Sequence, residues 1–590
     1  MKELSHLKKY FYKYRKSLLL GSLFILISNV FGVYIPDFVG RAFNEITEGV
    51  SMVNTTNEET INLFKTKLLT YGSYVLLFAI AKGFFMFLMR QTVIVSSRNI
   101  EFDLKNEIFS HYQKLDQSFY TQNRTGDIIN RISEDVSKVR MFLGPAVMYS
   151  INLSIMLVLV ITKMISVSPS LTLYAVLPMP ILAVTIFIVS NKINIKSLRV
   201  QESLATISNI SQETFTGIRL IKSHVLESVL TQKSFKANEA YKRDQMSLTK
   251  TQSLFFPLMI LLIGLCTLIV IYFGGKEVIA GRMSKGTIAE FIIYINMLTW
   301  PVASIGWVSS ITYTAAASQK RINEFLKTEP KIKNTETNTH NIEGDISFDN
   351  VDFIYEESGV HALKQINLLA KKGETIGIIG KTGSGKTTLA QLICRTFDVT
   401  TGELSIANRD IKNHNLYQLR KDIAYVPQDV FLFSDSIKNN ISFGVENATQ
   451  DEIEDAAKKA CVYDNIINFK HGFESNIGER GISLSGGQKQ RISLARAMMK
   501  NPKLLILDDC LSAVDTQTEH SIIKSLKLWM KGRTSIIISH RVSSIQHADK
   551  IIVLENGEIT EIGTHQSLLD NQKYYASVYK KQQIKESQIK

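Results

Sequence analysis

Five stretches of this chain carry no Asp, Glu, Lys or Arg: residues 17–36, 141–162, 164–191, 251–275 and 291–319. They run for 20, 22, 28, 25 and 29 residues. A helix that crosses a bilayer needs about 20 predominantly apolar residues, so all five qualify, the first only just. A sixth candidate, residues 68–95, is interrupted only by Lys82 and Arg90. In hydrocarbon every backbone polar group must be satisfied within the segment, so runs of this length must be helical. Six spans are expected, over 17–40, 68–95, 139–163, 166–190, 253–275 and 287–316.

Bulk composition conceals this. The chain has 590 residues, 68 Lys+Arg against 54 Asp+Glu, a net charge of +14 and 45% hydrophobic residues. Its mean hydropathy is +0.04. That neutral value is a membrane half averaged with a charged half. A purely soluble enzyme, a disordered chain and a disulfide scaffold are all excluded. Cys266 sits in an apolar run, while Cys394, Cys461 and Cys510 are scattered with no CxxC pair. They read as small buried hydrophobes in a reducing compartment.

Orientation follows from Lys/Arg bias. Residues 1–16 carry six, residues 96–138 six and residues 191–252 ten. On the other side, residues 42–66 carry one Lys against four Glu, and residues 276–286 carry three Lys/Arg. Both termini and both long loops are therefore expected in the cytoplasm. The first span follows Lys8, Lys9, Lys13, Arg15 and Lys16 but is too long for a signal-peptide core and has no cleavage site, so it reads as uncleaved. The long loops hold few Pro or Gly and permit helical spacing of apolar residues, which extends spans two to five beyond the bilayer. Reversals are expected at QNRTGD (122–127) and ETFTGIR (213–219). Lys82 is a mid-span cation that faces a cavity or partner, or else packs on a helix or snorkels. Pro145, Pro178, Pro180, Pro257 and Pro301 are candidate kinks. Trp300 and Trp307 line a cavity or serve ordinary helix packing.

After a charged stretch, residues 321–341 read as a linker and 342–590 as a second domain. Short β-branched runs (TIGIIG, LLILD, TSIIIS, KIIVLE) alternate with helical stretches, which predicts an α/β fold. Gly380, Lys381, Thr382, Gly383, Ser384, Gly385, Lys386 and Thr387 match GxxxxGK[ST], with Thr388 next, between a strand-like TIGII and a helix-like TLAQLICRTF. Such a loop wraps phosphates in backbone N–H groups, Lys386 meeting the outer phosphates and Thr387 offering a hydroxyl to magnesium. KLLILDD ends in Asp508, a carboxylate suited to magnesium through water. Leu484, Ser485, Gly486, Gly487 and Gln488 open a further helix, a second phosphate-facing N-terminus.

LSGGQ followed by KQRISLARA resembles the signature of ATP-binding-cassette (ABC) ATPases. In that family the signature reaches across a dimer to ATP on a partner's P-loop. The resemblance gives further residues their roles. Tyr355 resembles the aromatic that stacks on adenine. Gln428 in YVPQDVFLF resembles the glutamine that senses magnesium and the attacking water. Glu479 in IGERG resembles the loop before the signature in exporters. Ser512–Asp515 resembles the D-loop, and His540 in IISHR the switch histidine at the γ-phosphate. Six spans ahead of one cassette, with NRTGD and ETFTGIR at the loop tips, look like an ABC exporter half-transporter. That implies an all-α six-helix transmembrane domain of the type 1 exporter fold plus a P-loop NTPase domain of the ABC type. It also implies ATP and Mg2+ as cofactors (metal contacts Thr387, Gln428 and Asp508) and coupling helices at the loop tips.

One residue departs from the pattern. Where the family has Glu after the Walker B aspartate, this chain has Asp509. Asp is one methylene shorter, so its carboxylate retreats by about 1 Å. Positioned acid–base help is worth about 10²–10⁴-fold, and a misplacement of about 1 Å can forfeit much of it. Slow hydrolysis on this chain's own Walker motifs is expected, as in the degenerate half of heterodimeric exporters. The retained His540 weighs the other way, so a heterodimer is favoured and a homodimer stays open.

The expected function is ATP-driven efflux of a hydrophobic or amphipathic drug, lipid or peptide across the plasma membrane by alternating access. A weakly hydrolysing regulatory or channel-like subunit is the alternative, and an importer on the same architecture a third. The expected partners are a second half-transporter, membrane lipid and the cargo. Nucleic acid is excluded by the spans despite the positive charge.

Overall fold

The computed structural model describes residues 2–52, 58–339, 342–478, 481 and 484–589. Glu479 lies outside the described residues. The chain divides into two units, Met1–Gln113 with Thr125–Thr328, and Lys114–Arg124 with Glu329–Lys590.

In the first unit, six helices among the described residues are long and apolar enough to cross a membrane. They are α1 (Arg15–Glu48), α2 (Asn62–Lys114), α3 (Thr125–Val167), α4 (Pro169–Thr216), α5 (Glu227–Ile279) and α6 (Lys285–Leu326). The middle ones far exceed the charge-free runs, because the amphipathic loop sequences continue the same helices. The tightest pairings are α4 with α5 and α1 with α6. Phe291, Tyr294, Ile295 and Leu298 of α6 are fully buried against Val33 of α1, Val160 and Met164 of α3, and Val270 of α5.

Asp37 meets Arg41 at 3.1 Å and Lys163 at 3.7 Å. The Tyr294 hydroxyl lies 2.9 Å from Glu290 Oε1 and 3.1 Å from the Val33 carbonyl, sharing its one proton between the two acceptors. Lys82 is packed against a helix: a Cβ built on Gly32 of α1 would meet its Cδ, Cε and Nζ, each at 3.3 Å. Among the prolines, Pro178 separates the helical segments Pro169–Val176 and Met179–Thr216, with Pro180 in the first turn of the second. Pro145 falls in the π-turn Phe142–Ala146, and Pro257 and Pro301 lie within unbroken helices. Trp307 packs edge-on to Tyr149 at 5.5 Å, whereas Trp300 is 68% exposed.

Both reversals contain a short helix. The second, Ile218–Ser223, starts inside the expected ETFTGIR tip, whose residues 213–216 still belong to the helix Met179–Thr216. The first, Gln117–Gln122, precedes the expected QNRTGD tip and belongs to the second unit. Asp116 Oδ2 accepts the backbone N–H of Lys331 at 2.5 Å, and Asn123 Nδ2 closes the turn onto the Phe119 carbonyl at 2.9 Å.

The second unit is an α/β domain. Four antiparallel strands run in the order β2 (His361–Ala370), β1 (Ile346–Ile354), β4 (Thr401–Ile406), β5 (Arg409–Asp410). A six-stranded sheet runs β10 (Glu558–Gly563), β9 (Lys550–Glu555), β3 (Thr375–Ile379), β8 (Thr534–Ile538), β7 (Leu504–Asp508), β6 (Ile423–Val426). All its neighbours are parallel except β10 with β9. β7 and β8 are buried at every position. Parallel strands covered on both faces read as such unbroken apolar runs. Residues before β1 are bound to this unit: Arg409 pairs with Glu336 at 2.9 Å, and Asn334 Oδ1 accepts the Leu416 N–H at 2.9 Å.

Candidate functional site

In an open parallel sheet, ligands bind beyond the carboxyl ends of the strands. The order β3, β8, β7, β6 puts four loops side by side there. After β3 comes Gly380–Thr388; after β8, Ser539 and His540; at the end of β7, Asp508 and Asp509; after β6, Gln428. Residues up to 160 positions apart thus share one edge because β8 and β7 insert beside the P-loop strand.

The loop after β3 turns into α7 (Lys386–Ile393) without a side-chain cap. Gly383 and Gly385 have φ of 81° and 98°, a region that costs other residues strain. A Cβ on Gly385 would also stand 2.4 Å from the Ala362 carbonyl. The first N–H groups of α7 are therefore left for a ligand. Lys386 Nζ folds back to donate to the carbonyls of Gly380 at 2.8 Å and Lys381 at 2.7 Å. Burial holds its pKa below the usual lysine range, and Asp508 and Asp509 oppose that shift. Ser384 and Thr388 are buried, while Thr382 is exposed at the loop tip.

Asp508 is 1% exposed. Burial raises its pKa, and hydrogen bonds from Thr387 and Tyr425 pull it back. The Tyr425 hydroxyl stands 3.3 Å away. Thr387 and Asp508, two of the three expected metal contacts, are thus brought together as hard oxygen donors of the kind Mg2+ prefers. Gln428 is exposed on its loop, with no bond to either.

Asp509 has φ of 49°, left-handed for a residue with a side chain. Its N–H donates to the Ile538 carbonyl at 2.8 Å, tying the end of β7 to β8. Its Oδ1 is 2.8 Å from His540 Nδ1. The carboxylate is 12% exposed and the imidazole 54%. Next to it, burial pushes the Cys510 thiol up to about 12, which keeps it protonated.

Tyr355 packs edge-on to Phe353 at 4.8 Å, and its hydroxyl bonds Thr388 Oγ1 at 3.0 Å and Gln391 Oε1 at 3.3 Å. It borders the P-loop helix rather than standing free.

The signature residues start a different helix, α8 (Gly486–Met499). Ser485 Oγ accepts the Gln488 N–H at 3.3 Å, and Gln488 Oε1 accepts the Ser485 N–H at 2.9 Å, a reciprocal capping box. Asp515 caps α9 (Thr516–Met530) by accepting the Thr518 N–H at 2.9 Å, and that bond holds its carboxyl below the usual range. Four residues that sequence reading missed join these parts. Gln490 donates to Ser512 Oγ at 3.0 Å and accepts the Ala513 N–H at 3.0 Å, clamping the D-loop to α8. Arg491 donates to the Cys461 carbonyl at 2.6 Å. Buried Glu519 pairs with Arg541, which donates to the Ser512 carbonyl at 3.2 Å. Gln490, Arg491 and Arg541 lie within the KQRISLARA and IISHR stretches, but what each holds is visible only from its partners.

Comparison with known proteins agrees with this layout. Residues 18–302 match the ABC transporter transmembrane region family, and residues 363–512 the ABC transporter family. The ABC transporter ATP-binding protein YknU of Bacillus subtilis is 33% identical, over 98% of this chain and 97% of that protein. The multidrug resistance-like ATP-binding protein MdlA of Escherichia coli is 33% identical over 88% of each. A solved structure of a bacterial Atm1-family ABC exporter with ATP bound superposes with a TM-score of 0.77 at 23% identity, covering 98% of both chains, and shows the same fold. The chain belongs to the ABC transporter family: a multi-pass membrane region fused to an ATP-binding ATPase domain that drives transport.

Proposed function

We propose that this chain is one half of a heterodimeric exporter. It holds ATP on its own P-loop, cleaves it slowly there, and lends its signature helix to a faster site on a second half-transporter. The observation that carries this reading is Asp509. Its short side chain reaches His540 at 2.8 Å, so the group that should polarise water is engaged by the switch histidine instead. The LSGGQ box is complete and capped, as a helix end serving a partner's nucleotide should be.

Tyr355, Gly380, Thr382, Gly383, Ser384, Gly385, Lys386, Thr387 and Thr388 hold the nucleotide in this reading. Ser485, Gly486, Gly487, Gln488 and Asp515 serve the partner's nucleotide. Thr387 and Asp508 would hold Mg2+, with Gln428 reaching in from its exposed loop. Asp509, His540 and Gln428 are the catalytic group. Bound magnesium would neutralise phosphate charge; Thr387 and Asp508 orient it.

The cargo is hydrophobic or amphipathic and moves outward, with both termini in the cytoplasm. The apolar spans support the cargo class, as does the multidrug description of the Escherichia coli relative. Lys/Arg bias supports the orientation. The membrane domain is taken as 1–320, the linker as 321–341 and the cassette as 342–590.

The test is ATP turnover by the full-length chain in proteoliposomes, alone and with a half-transporter that has Glu after its Walker B aspartate. Slow turnover alone, rapid turnover and vesicle transport in the pair, and faster turnover in D509E are expected. Rapid turnover by the unpaired wild-type chain would sink the degenerate-site reading. Asp509 also favours a regulatory or channel-like subunit, which ATP-dependent uphill transport by the pair would exclude.

A further inference from the structure

The loop that carries His540 is held from the far end of the chain. The C-terminal helix α10 (Tyr574–Ile589) enters the domain through Tyr575, which is fully buried. The Tyr575 hydroxyl bonds His565 Nδ1 at 2.7 Å, and its N–H donates to Glu561 Oε1 at 3.2 Å. Residues at i, i+3, i+4 and i+7 share one helix face. From Tyr575 that stripe is Val578, Tyr579 and Gln582. Val578 and Tyr579 pack on the domain core. Gln582 is therefore delivered to a fixed place about 10 Å along the helix from its anchor.

There its amide spans the switch loop. Nε2 donates to the His540 carbonyl at 2.8 Å, and Oε1 accepts the Val542 N–H at 2.8 Å. A carbonyl can only accept and an N–H can only donate, so a single amide orientation satisfies both. The two bonds bracket Arg541, which Glu519 holds from the other side. Ser543 and Ser544 add hydrogen bonds to Glu519 at 2.9 Å each.

The geometry points to Gln582 as a positioning residue for His540: the C-terminal helix sets the switch loop's backbone so that the imidazole meets Asp509 and the nucleotide. The inference rests on the reading of His540 as the switch histidine. Gln582 itself touches neither nucleotide nor reacting atoms.

The experiment uses the full-length chain in lipid nanodiscs, with radiolabelled ATP so that slow turnover is read. Wild type, Q582A, Q582E, H540A and the double variant Q582A/H540A are compared. Two hydrogen bonds are lost in Q582A, so kcat should fall by about 5- to 50-fold with KM for ATP unchanged. Q582E keeps an acceptor for Val542 but loses the donor to His540, and should fall between wild type and Q582A. Thermal melting should fall by only a few degrees, and Q582A should add nothing to the kcat loss of H540A. Unchanged kcat in both Gln582 variants overturns the inference. So does an equal loss on the wild-type and H540A backgrounds, which would mark a merely structural role. If H540A itself hydrolyses normally, the reading of His540 fails and the inference falls with it. Should Q582A melt early, Q582E decides alone, since it retains the Val542 bond.

Discussion

The ATP-binding domain contains two helix starts, at the P-loop and at LSGGQ, built on opposite plans. The start of α7 is left open: its cap is a left-handed glycine, and Lys386 bends back onto its own loop. The start of α8 is closed, with Ser485 and Gln488 capping each other. An open end depends on its ligand to satisfy backbone donors, whereas at the capped end Ser485 and Gln488 already satisfy each other's N–H groups before any ligand arrives. The first suits a resident nucleotide and the second a nucleotide that comes and goes with a partner. Asp509 stands between them: its carboxylate faces His540, and its carbonyl accepts Ser512 Oγ of the D-loop at 3.0 Å.

The largest expected effect breaks the open end. Hydrogen bonds to charged groups contribute about 1.5–3 kcal/mol, so K386A should weaken ATP binding by about 10- to 150-fold in equilibrium titration. An unchanged affinity would refute the P-loop role of Lys386. Next, D509E restores the longer carboxylate and should raise hydrolysis on the unpaired chain at least about tenfold, a modest part of the range for positioned acid–base help. On the closed end, S485A removes a cap worth about 1 kcal/mol. It should speed hydrogen exchange at the start of α8 while leaving ATP affinity of this chain's P-loop intact. A parallel loss of ATP affinity would show the two ends to be one site. The smallest effect separates ring from hydroxyl at Tyr355. Y355F loses only the bonds to Thr388 and Gln391 and should shift ATP affinity by no more than about threefold, whereas Y355A loses a stacking surface worth about 1–3 kcal/mol.

The membrane helices are legible in the sequence because a missing charge is a local property. Their continuation beyond the bilayer is nearly as clear, since few Pro or Gly residues interrupt the loops. The first loop tip is less so. The expected tip is QNRTGD (122–127), yet its Thr125, Gly126 and Asp127 sit inside the helix Thr125–Asn130. The break is made instead by Asp116 and Asn123, and the partner of Asp116, Lys331, is 215 residues away. The nucleotide motifs were readable as separate pieces. Their adjacency was not: no local pattern says that β8 lies between the P-loop strand and β7, which is what brings His540 to Asp509. Gln490, Glu519 and Gln582 were invisible for the same reason. Each is an ordinary helical polar residue until its distant partners are known.

One contact in the membrane unit restricts how such a molecule can move. Where α1 passes α6, a Cβ on Gly286 would stand 1.9 Å from the Gly40 carbonyl. Asn44 stitches the crossing, accepting the Gly286 N–H at 2.7 Å and donating to Ser284 Oγ at 3.0 Å. Backbone against backbone leaves no side chain to act as a ball bearing, and the asparagine denies the pair any slip along their axes. The crossing thus joins the two helices most tightly at this point. Sliding α1 along α6 would have to break both hydrogen bonds of Asn44 and lose the close Gly40–Gly286 approach.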